Sequence, residues 1–473
     1  MKITYEDIVV KIVEATNDEL VKLRSLLEFE NGSLLFNDNE FYFGLIDYLK
    51  NNGLNIDYSL LLNKLSYSSK VTIHENCLIE KKLRDYQISS VRKALHRLHG
   101  VFQIATGGGK TVIIAAIIYH FLNYVSEVDS AICIVPTTHL LRQMYNEFVS
   151  VGFEESSISR LGDGYKLEDK PICIATSDSA YNQINKLKDR KLLIVDEAHH
   201  VSSRTWTTIC TKINTRYRFA FTGTVREDPN CYSYSDLALI GLFGPIIQNV
   251  KAKQLINRGY LAQPIYTIID VDSKKIPGFY WHSIYQQGVV KNLVRNELIC
   301  KLSYSCYINK YKVLCFVARK DHGKFLCKKI TDCYGIETLF TQGGSTSYLY
   351  KPSDKVSKNN WDIKEISDYV NENNEVIVVA TQVFDEGVNI PSFNTLIIAA
   401  GMKKYRRSIQ RCGRGMRPKE KDNFVYIFDF YDGQHVFLSS QSNYRIETYD
   451  HEGYIYKSLD EIKEVTGIDC ITV

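Results

Sequence analysis

The chain has 473 residues, 58 Lys and Arg against 54 Asp and Glu, and a formal net charge of +4. This length accommodates two to four domains with large cores, so no disulfide or metal staple is required. The 12 cysteines are scattered, with no C-x-x-C pair and no Cys/His cluster of ligand spacing, which argues against a zinc or iron–sulfur scaffold and reads as reduced thiols in the cytoplasm. No apolar core follows a basic start, and the longest apolar stretch, near 113–122, is far too short to cross a bilayer. A soluble protein is expected.

Residues 1–78 carry seven basic against twelve acidic side chains, leaving +9 on the remainder, so a polyanionic partner is expected to lie mainly against the rest of the chain. Within 1–78, an alternating stretch at 8–13, helical spacing at Leu20, Leu23, Leu26 and Leu27, and an Asn-Asn-Gly turn at 51–53 predict a small α/β domain. From Arg84 onward, apolar runs at 101–104, 131–135, 172–175, 192–195 and 219–222 alternate with helical segments. That alternation predicts a parallel sheet with helices on both faces. A second series at 313–317, 337–340, 376–380, 396–400 and 424–428 predicts another such lobe, with the polar segment 343–361 as a surface loop and a short helix near 459–465. The expected architecture is α/β: an N-terminal domain (1–78), two tandem lobes (79–262 and 263–440) and a C-terminal tail (441–473).

Two strings carry the chemistry. Gly107-Gly108-Gly109-Lys110-Thr111 follows the first strand pattern, and its backbone N–H groups, with the helix start behind them, can converge on phosphate oxygens. Lys110 would reach the β- and γ-phosphates, and Thr111 would put its hydroxyl on Mg2+. Asp196-Glu197-Ala198-His199 ends a later strand pattern: Asp196 can hold the metal and Glu197 can activate a water. Each string alone also has a plain reading, as a tight turn or as a helix N-cap. The first position of the strict phosphate-loop pattern is Ile104 rather than Gly. Both strings in this order, each behind a buried-strand pattern, favour an ATP and Mg2+ site.

With these residues placed, the chain resembles a superfamily 2 helicase from Leu83 to about Tyr449. Leu83-Arg84-Asp85-Tyr86-Gln87 stands where the family places its adenine-reading glutamine, here Gln87. Thr106 opens the phosphate loop. Ile134-Val135-Pro136-Thr137 and Ile174-Ala175-Thr176 are similar to motifs Ia and Ib, Thr222-Gly223-Thr224 to motif III, and 313–323 to motif IV. Thr381 with Asp385-Glu386-Gly387 resembles motif V, and Gln410-Arg411-Cys412-Gly413-Arg414-Gly415-Met416-Arg417 resembles motif VI. Gly244-Pro245 and the segment to Pro264 point to double-strand translocases: the XPB type, type I restriction motors, and phage recombination helicases of the UvsW kind.

The resemblance implies two RecA-like lobes with ATP between them, Lys110, Asp196 and Glu197 from one and Arg414 and Arg417 from the other, with Gly387 and Gln410 also on the nucleotide side. It implies coupling through His199, Thr222 and Thr224. Thr137, Thr176, Thr222 and Thr381 would lie along the nucleic-acid track, joined by Lys403, Lys404 and Arg407 from a run of nine basic residues and one acid at 403–421. The implied partner is double-stranded or branched DNA, read with low sequence specificity, alongside replication or recombination proteins; a monomer is favoured. The Phe279-Tyr280-Trp281 triplet could stack on bases, but core is the commoner fate of such a triplet. Competing readings are an RNA helicase, a restriction-type motor subunit, and a non-catalytic nucleic-acid clamp.

Overall fold

The computed structural model describes residues 2–6, 9–29, 32–37, 40–56, 73–225, 231–342, 346–353, 356–361, 363–381, 393–402 and 423–469. It divides into two compact units, Met1–Lys251 and Ala252–Val473.

The first unit opens with an antiparallel sheet of β1 (Lys2–Glu6), β2 (Val9–Glu14), β3 (Leu35–Asn37) and β4 (Glu40–Tyr42), in the order β1-β2-β4-β3. Its helix, Asn17–Leu27, starts at a reciprocal capping box between Thr16 and Glu19 and buries Leu23 and Leu27, the spacing legible in the sequence. This small domain docks through Tyr42 and Gly44 onto the helix Tyr234–Phe243 of the lobe that follows. A Cβ at Gly44 would meet the Ile240 carbonyl and lie 2.7 Å from that of Gly241, and one at Gly241 would lie 2.9 Å from the Tyr42 side chain. Two glycines thus let the backbones approach.

The lobe sheet contains β5 (His99–Ile104), β6 (Ala131–Val135), β7 (Ile158–Leu161), β8 (Ile172–Thr176), β9 (Leu192–Val195), β10 (Tyr217–Thr222) and β11 (Ile246–Val250). The order is β11-β5-β10-β9-β6-β8-β7, every pair parallel. The interior strands read as continuous apolar runs because both faces are covered. The outer strands β7 and β11 escaped the sequence reading: Ser159, Arg160, Gln248 and Asn249 interrupt their apolar pattern.

The second unit contains β12 (Gln263–Asp270), β13 (Lys312–Phe316), β14 (Thr338–Thr341), β15 (Ser347–Tyr350), β16 (Val356–Asn359), β17 (Val376–Ala380), β18 (Thr395–Ile398), β19 (Phe424–Tyr431) and β20 (Ile455–Tyr456). They form one sheet in the order β16-β15-β14-β17-β13-β18-β19-β12-β20. All its pairs are parallel except those made by β15 and β16, an antiparallel hairpin added to β14. That hairpin corrects the surface loop expected at 343–361. Leu349 and Tyr350 are buried and Tyr348 stacks on Phe340, so a short apolar stretch inside a polar segment suffices for pairing.

Both units are thus RecA-like α/β lobes, the first carrying the small N-terminal domain. Among the described residues no helix is long and apolar enough to cross a membrane.

Candidate functional site

Register brings the chemistry to one edge of the first lobe. Val195 pairs with Ile134 and Ala220, and Thr222 with Gln103. The chain therefore leaves β5, β9 and β10 on the same side, at the carboxyl ends where α/β sheets bind ligands. The glycine loop, Asp196-Glu197 and Thr222-Gly223-Thr224 all sit there.

In the loop, Gly107 has φ +79° and Gly109 φ +74°, a left-handed backbone that glycine adopts without strain. Gly109 is the N-cap of the helix Lys110–Tyr124, whose interior from Ile113 to Ile118 is fully buried and fixes the loop to the core. A Cβ at Gly109 would lie 2.7 Å from Gln87 Nε2, so the adenine-reading candidate stands directly beside the loop. Gln87 is buried, and its Oε1 accepts from the Arg84 N–H at 2.9 Å. Thr106 faces motif III: a Cβ on Gly223 would lie 3.6 Å from Thr106 Oγ1.

The Lys110 ammonium lies 2.5 Å from Glu197 Oε1 and 3.8 Å from Asp196 Oδ1. Burial, and next the charge of Glu197, push the Asp196 carboxyl up, while Lys110 draws it back. Glu197 has φ +47° and ψ +47°, a conformation costly for a residue with a side chain, and its N–H donates to Asp196 Oδ1 at 2.9 Å. Strain of this kind is held where a side chain must be aimed. His199 Nδ1 lies 3.5 Å from Glu197 Oε2, and its ring packs against His200, which stacks on Trp206. The donor set suits a magnesium triphosphate: an acceptor-only carboxylate at a strand tip, the Thr111 hydroxyl in the first helical turn, and an ammonium for phosphate oxygens.

Family models match most of both lobes: one for the type III restriction enzyme res subunit over residues 80–227 and one for the helicase conserved C-terminal domain over 294–419. The chain belongs to the superfamily 2 helicases. The DNA 3'-5' translocase XPB2 of Sulfurisphaera tokodaii is 25% identical to it over 367 residues, 72% of this chain and 80% of that protein. The type ISP restriction-modification enzyme LlaBIII, solved bound to DNA, shares its fold with a TM-score of 0.57 at 14% identity, over 79% of this chain and 30% of that one. The crystal structure of T4 UvsW aligns over 97% of this chain and 98% of that one, with 20% identity and a TM-score of 0.43.

The remaining helicase motifs are placed unevenly. Thr137 is half-buried and caps the helix Thr138–Ser150 by accepting from Leu140 N at 3.2 Å; the buried Thr176 hydroxyl donates to Ser179 Oγ at 2.9 Å. Thr222 is buried, and its hydroxyl donates to the Thr224 carbonyl at 3.0 Å while accepting from the Thr224 N–H. Two elements of motif III are therefore clasped together. In the second unit Thr381 is buried at the end of β17, its N–H bonded to the Thr341 carbonyl. Gly387, Lys403, Lys404, Arg407, Gln410, Arg414 and Arg417 lie outside the described residues.

One residue of the site went unassigned in the sequence. The buried Tyr86 hydroxyl donates to the Gly108 carbonyl at 2.7 Å and accepts from Arg84 Nη1 at 3.1 Å. Its position beside Gln87 at the start of the helix Asp85–Arg97 was the available signal. The aromatic triplet also departs from expectation: Phe279 is 89% exposed, Tyr280 84% and Trp281 41%, so it is surface rather than core.

Proposed function

We propose that this superfamily 2 helicase is an ATP-dependent DNA translocase that remodels branched DNA, by fork or junction unwinding and branch migration, in replication, recombination or repair. The observation that carries the reading is the Lys110–Glu197 contact of 2.5 Å on the strand edge shared with the glycine loop and motif III. Loop amides and Lys110 hold the β- and γ-phosphates, Gln87 reads the adenine, and Glu197 orients and deprotonates the attacking water. Thr111 and Asp196 would hold Mg2+, which when bound would supply positive charge to the phosphate oxygens. Arg414 and Arg417 serve the γ-phosphate on the strength of motif VI alone; such arginines are worth about 10³ to 10⁵ in rate in other NTPases.

Movement then follows from motif III. A nucleotide-dependent shift at Glu197 and His199 reaches Thr222 and Thr224 across adjacent strands β9 and β10, and the nucleic-acid track lies on the same edge. Because Thr137 and Thr176 already use their hydroxyls locally, backbone N–H groups at the following helix starts contribute the phosphate contacts, without reading bases. DNA is preferred as the track because the archaeal relative is a DNA translocase. A cytoplasmic, monomeric motor working beside replication or recombination proteins fits this reading.

The test is a panel of forks, four-way junctions, linear duplexes, single strands and RNA, scored for stimulated ATPase and remodelling at one stated salt concentration, since phosphate contacts make affinity salt-dependent. Branched and duplex DNA should stimulate most. Stimulation by RNA alone would refute the DNA reading.

A further inference from the structure

Phe279, Tyr280 and Trp281 stand at the carboxyl edge of the second lobe, on the segment that leaves β12. Phe279 and Tyr280 are held out by anchors on either side, while the Trp281 ring packs on Tyr285 with centroids 5.4 Å apart. Before them, Lys275 Nζ donates to the Gly433 carbonyl at 2.7 Å, the Ile276 N–H to that of Gln434 at 3.1 Å, and His435 Nε2 to that of Gly278 at 3.0 Å. After them, Arg319 of motif IV donates to His282 Nε2 at 3.0 Å, and the Tyr285 hydroxyl donates to the Ala400 carbonyl at 2.7 Å. Beneath lies a separate small core of Ile284, Tyr285, Val289, Val290 and Leu438. Large apolar rings on an anchored platform are displayed at a cost in hydration, and a contiguous patch of this kind marks a contact site.

Charge identifies the occupant. Residues 273–296 contain no Asp or Glu but do contain Lys274, Lys275 and Lys291; residues 433–446, which the anchors join to them, also contain no acid. Asp272 precedes this run and Asp432 and Glu447 flank the other, so the segment that leaves β12 sets one acid against Lys274, Lys275 and Lys291. Flat rings in this net-cationic setting fit a polyanion with exposed ring faces, which is unpaired nucleic acid. Arg319 ties the platform to motif IV.

We infer that Phe279, Tyr280 and Trp281 form a ledge on which unpaired bases stack where the two strands of a DNA branch separate. This deepens the proposed function and rests on it. Stacking tolerates any base, in keeping with low sequence specificity, and it separates branched from fully paired tracks because only a branch offers open base faces.

The experiment uses the full chain and forks carrying 2-aminopurine at the first unpaired position. Wild type should quench the probe on binding. Phe279→Leu/Tyr280→Leu, which keeps apolar bulk but removes the rings, should lose the quenching and bind forks about tenfold more weakly or worse; Phe279→Tyr/Tyr280→Phe should restore both. The exposed positions make misfolding a minor concern, and matching thermal unfolding curves check it. Wild-type quenching and fork affinity in the Leu variant would overturn the ledge while leaving the motor reading intact. Failure of wild type to bind any DNA would instead sink the motor reading. A dimer by light scattering that the Leu variant dissociates would assign the patch to self-association and also overturn the ledge.

Discussion

The Tyr86 hydroxyl donates to the Gly108 carbonyl at 2.7 Å, tying the helix that carries Gln87 to the middle of the phosphate loop. Gln87 Nε2 stands against Gly109 on the same side. The Gln87 helix and the glycine loop, proposed to read adenine and hold phosphates, are therefore one mechanical piece. Tyr86→Phe leaves a buried carbonyl without its donor and lets the loop relax, a loss of about 1 kcal/mol. The expected outcome is an ATP KM raised about fivefold with kcat changed less than about twofold, measured by steady-state ATPase at saturating DNA. An unchanged KM would separate the two parts.

The second lobe contains an ion pair whose removal should be costly. Arg445 donates through Nε to Asp429 Oδ2 at 2.7 Å and through Nη2 to Oδ1 at 3.0 Å, and the Tyr449 hydroxyl donates to the same carboxylate at 2.9 Å. Arg445 and Asp429 are each 1% exposed. Arg445→Ala strands a buried carboxylate and should destabilise the lobe by about 3–5 kcal/mol in urea unfolding. Arg445→Lys should recover little of that, because one ammonium cannot replace a bidentate fork.

Two buried histidines set an acid limit on stability. Burial, aided by Arg218 and Arg97, lowers His99 to about 4; burial and Arg295 lower His322 to about 3. His322 Nε2 donates to Asn296 Oδ1 at 2.8 Å, and its Nδ1 is buried with no hydrogen-bond partner among the described residues. Both rings are thus neutral in the folded protein. The unfolded chain takes up their protons first, as pH falls below about 6.5, so their contribution is complete above that value and is lost progressively toward 4 and then 3. Between about pH 6.5 and about pH 5 the expected loss is on the order of 2 kcal/mol per histidine, seen as a falling urea midpoint. His322→Gln, which retains a donor for Asn296, should flatten part of the slope.

Gly44 offers a handle on the N-terminal domain. Any side chain there would strike the Ile240 carbonyl and approach Gly241 O and Gly244 N at 2.7 and 2.8 Å. Gly44→Ala should lift the domain from the helix Tyr234–Phe243, measured as faster limited proteolysis near residue 79. Unchanged protection would show that the domain is held elsewhere.

The sequence was most legible where local chemistry and global fold agree. Leu192–Val195 is apolar throughout because it lies in the middle of a covered parallel sheet, and Asp196 marks its end. Gly107 and Gly109 are glycines because their φ values demand it. Legibility failed where tertiary pairing overrode composition, as at Ser347–Tyr350, and at outer strands such as Ile246–Val250, whose polar residues broke the run. Tyr86 could be read only as a neighbour of Gln87, since its partner is a backbone carbonyl 22 residues away. Aromatic composition suggested a buried Phe279, whereas the anchors at Lys275, His435 and Arg319 that hold its segment at the surface are long-range contacts.

Glu197, held 2.5 Å from the Lys110 ammonium, is proposed to drive movement on nucleic acid by activating the water that attacks ATP. Glu197→Gln is nearly isosteric and cannot accept the water's proton. The direct measurement is DNA-stimulated ATP hydrolysis alongside binding of a fluorescent ATP analogue in wild type and Glu197→Gln. Analogue affinity should stay within about threefold of wild type and hydrolysis should fall by about 10² to 10⁴, the usual worth of a general base. Wild-type DNA-stimulated hydrolysis in the variant would contradict this role.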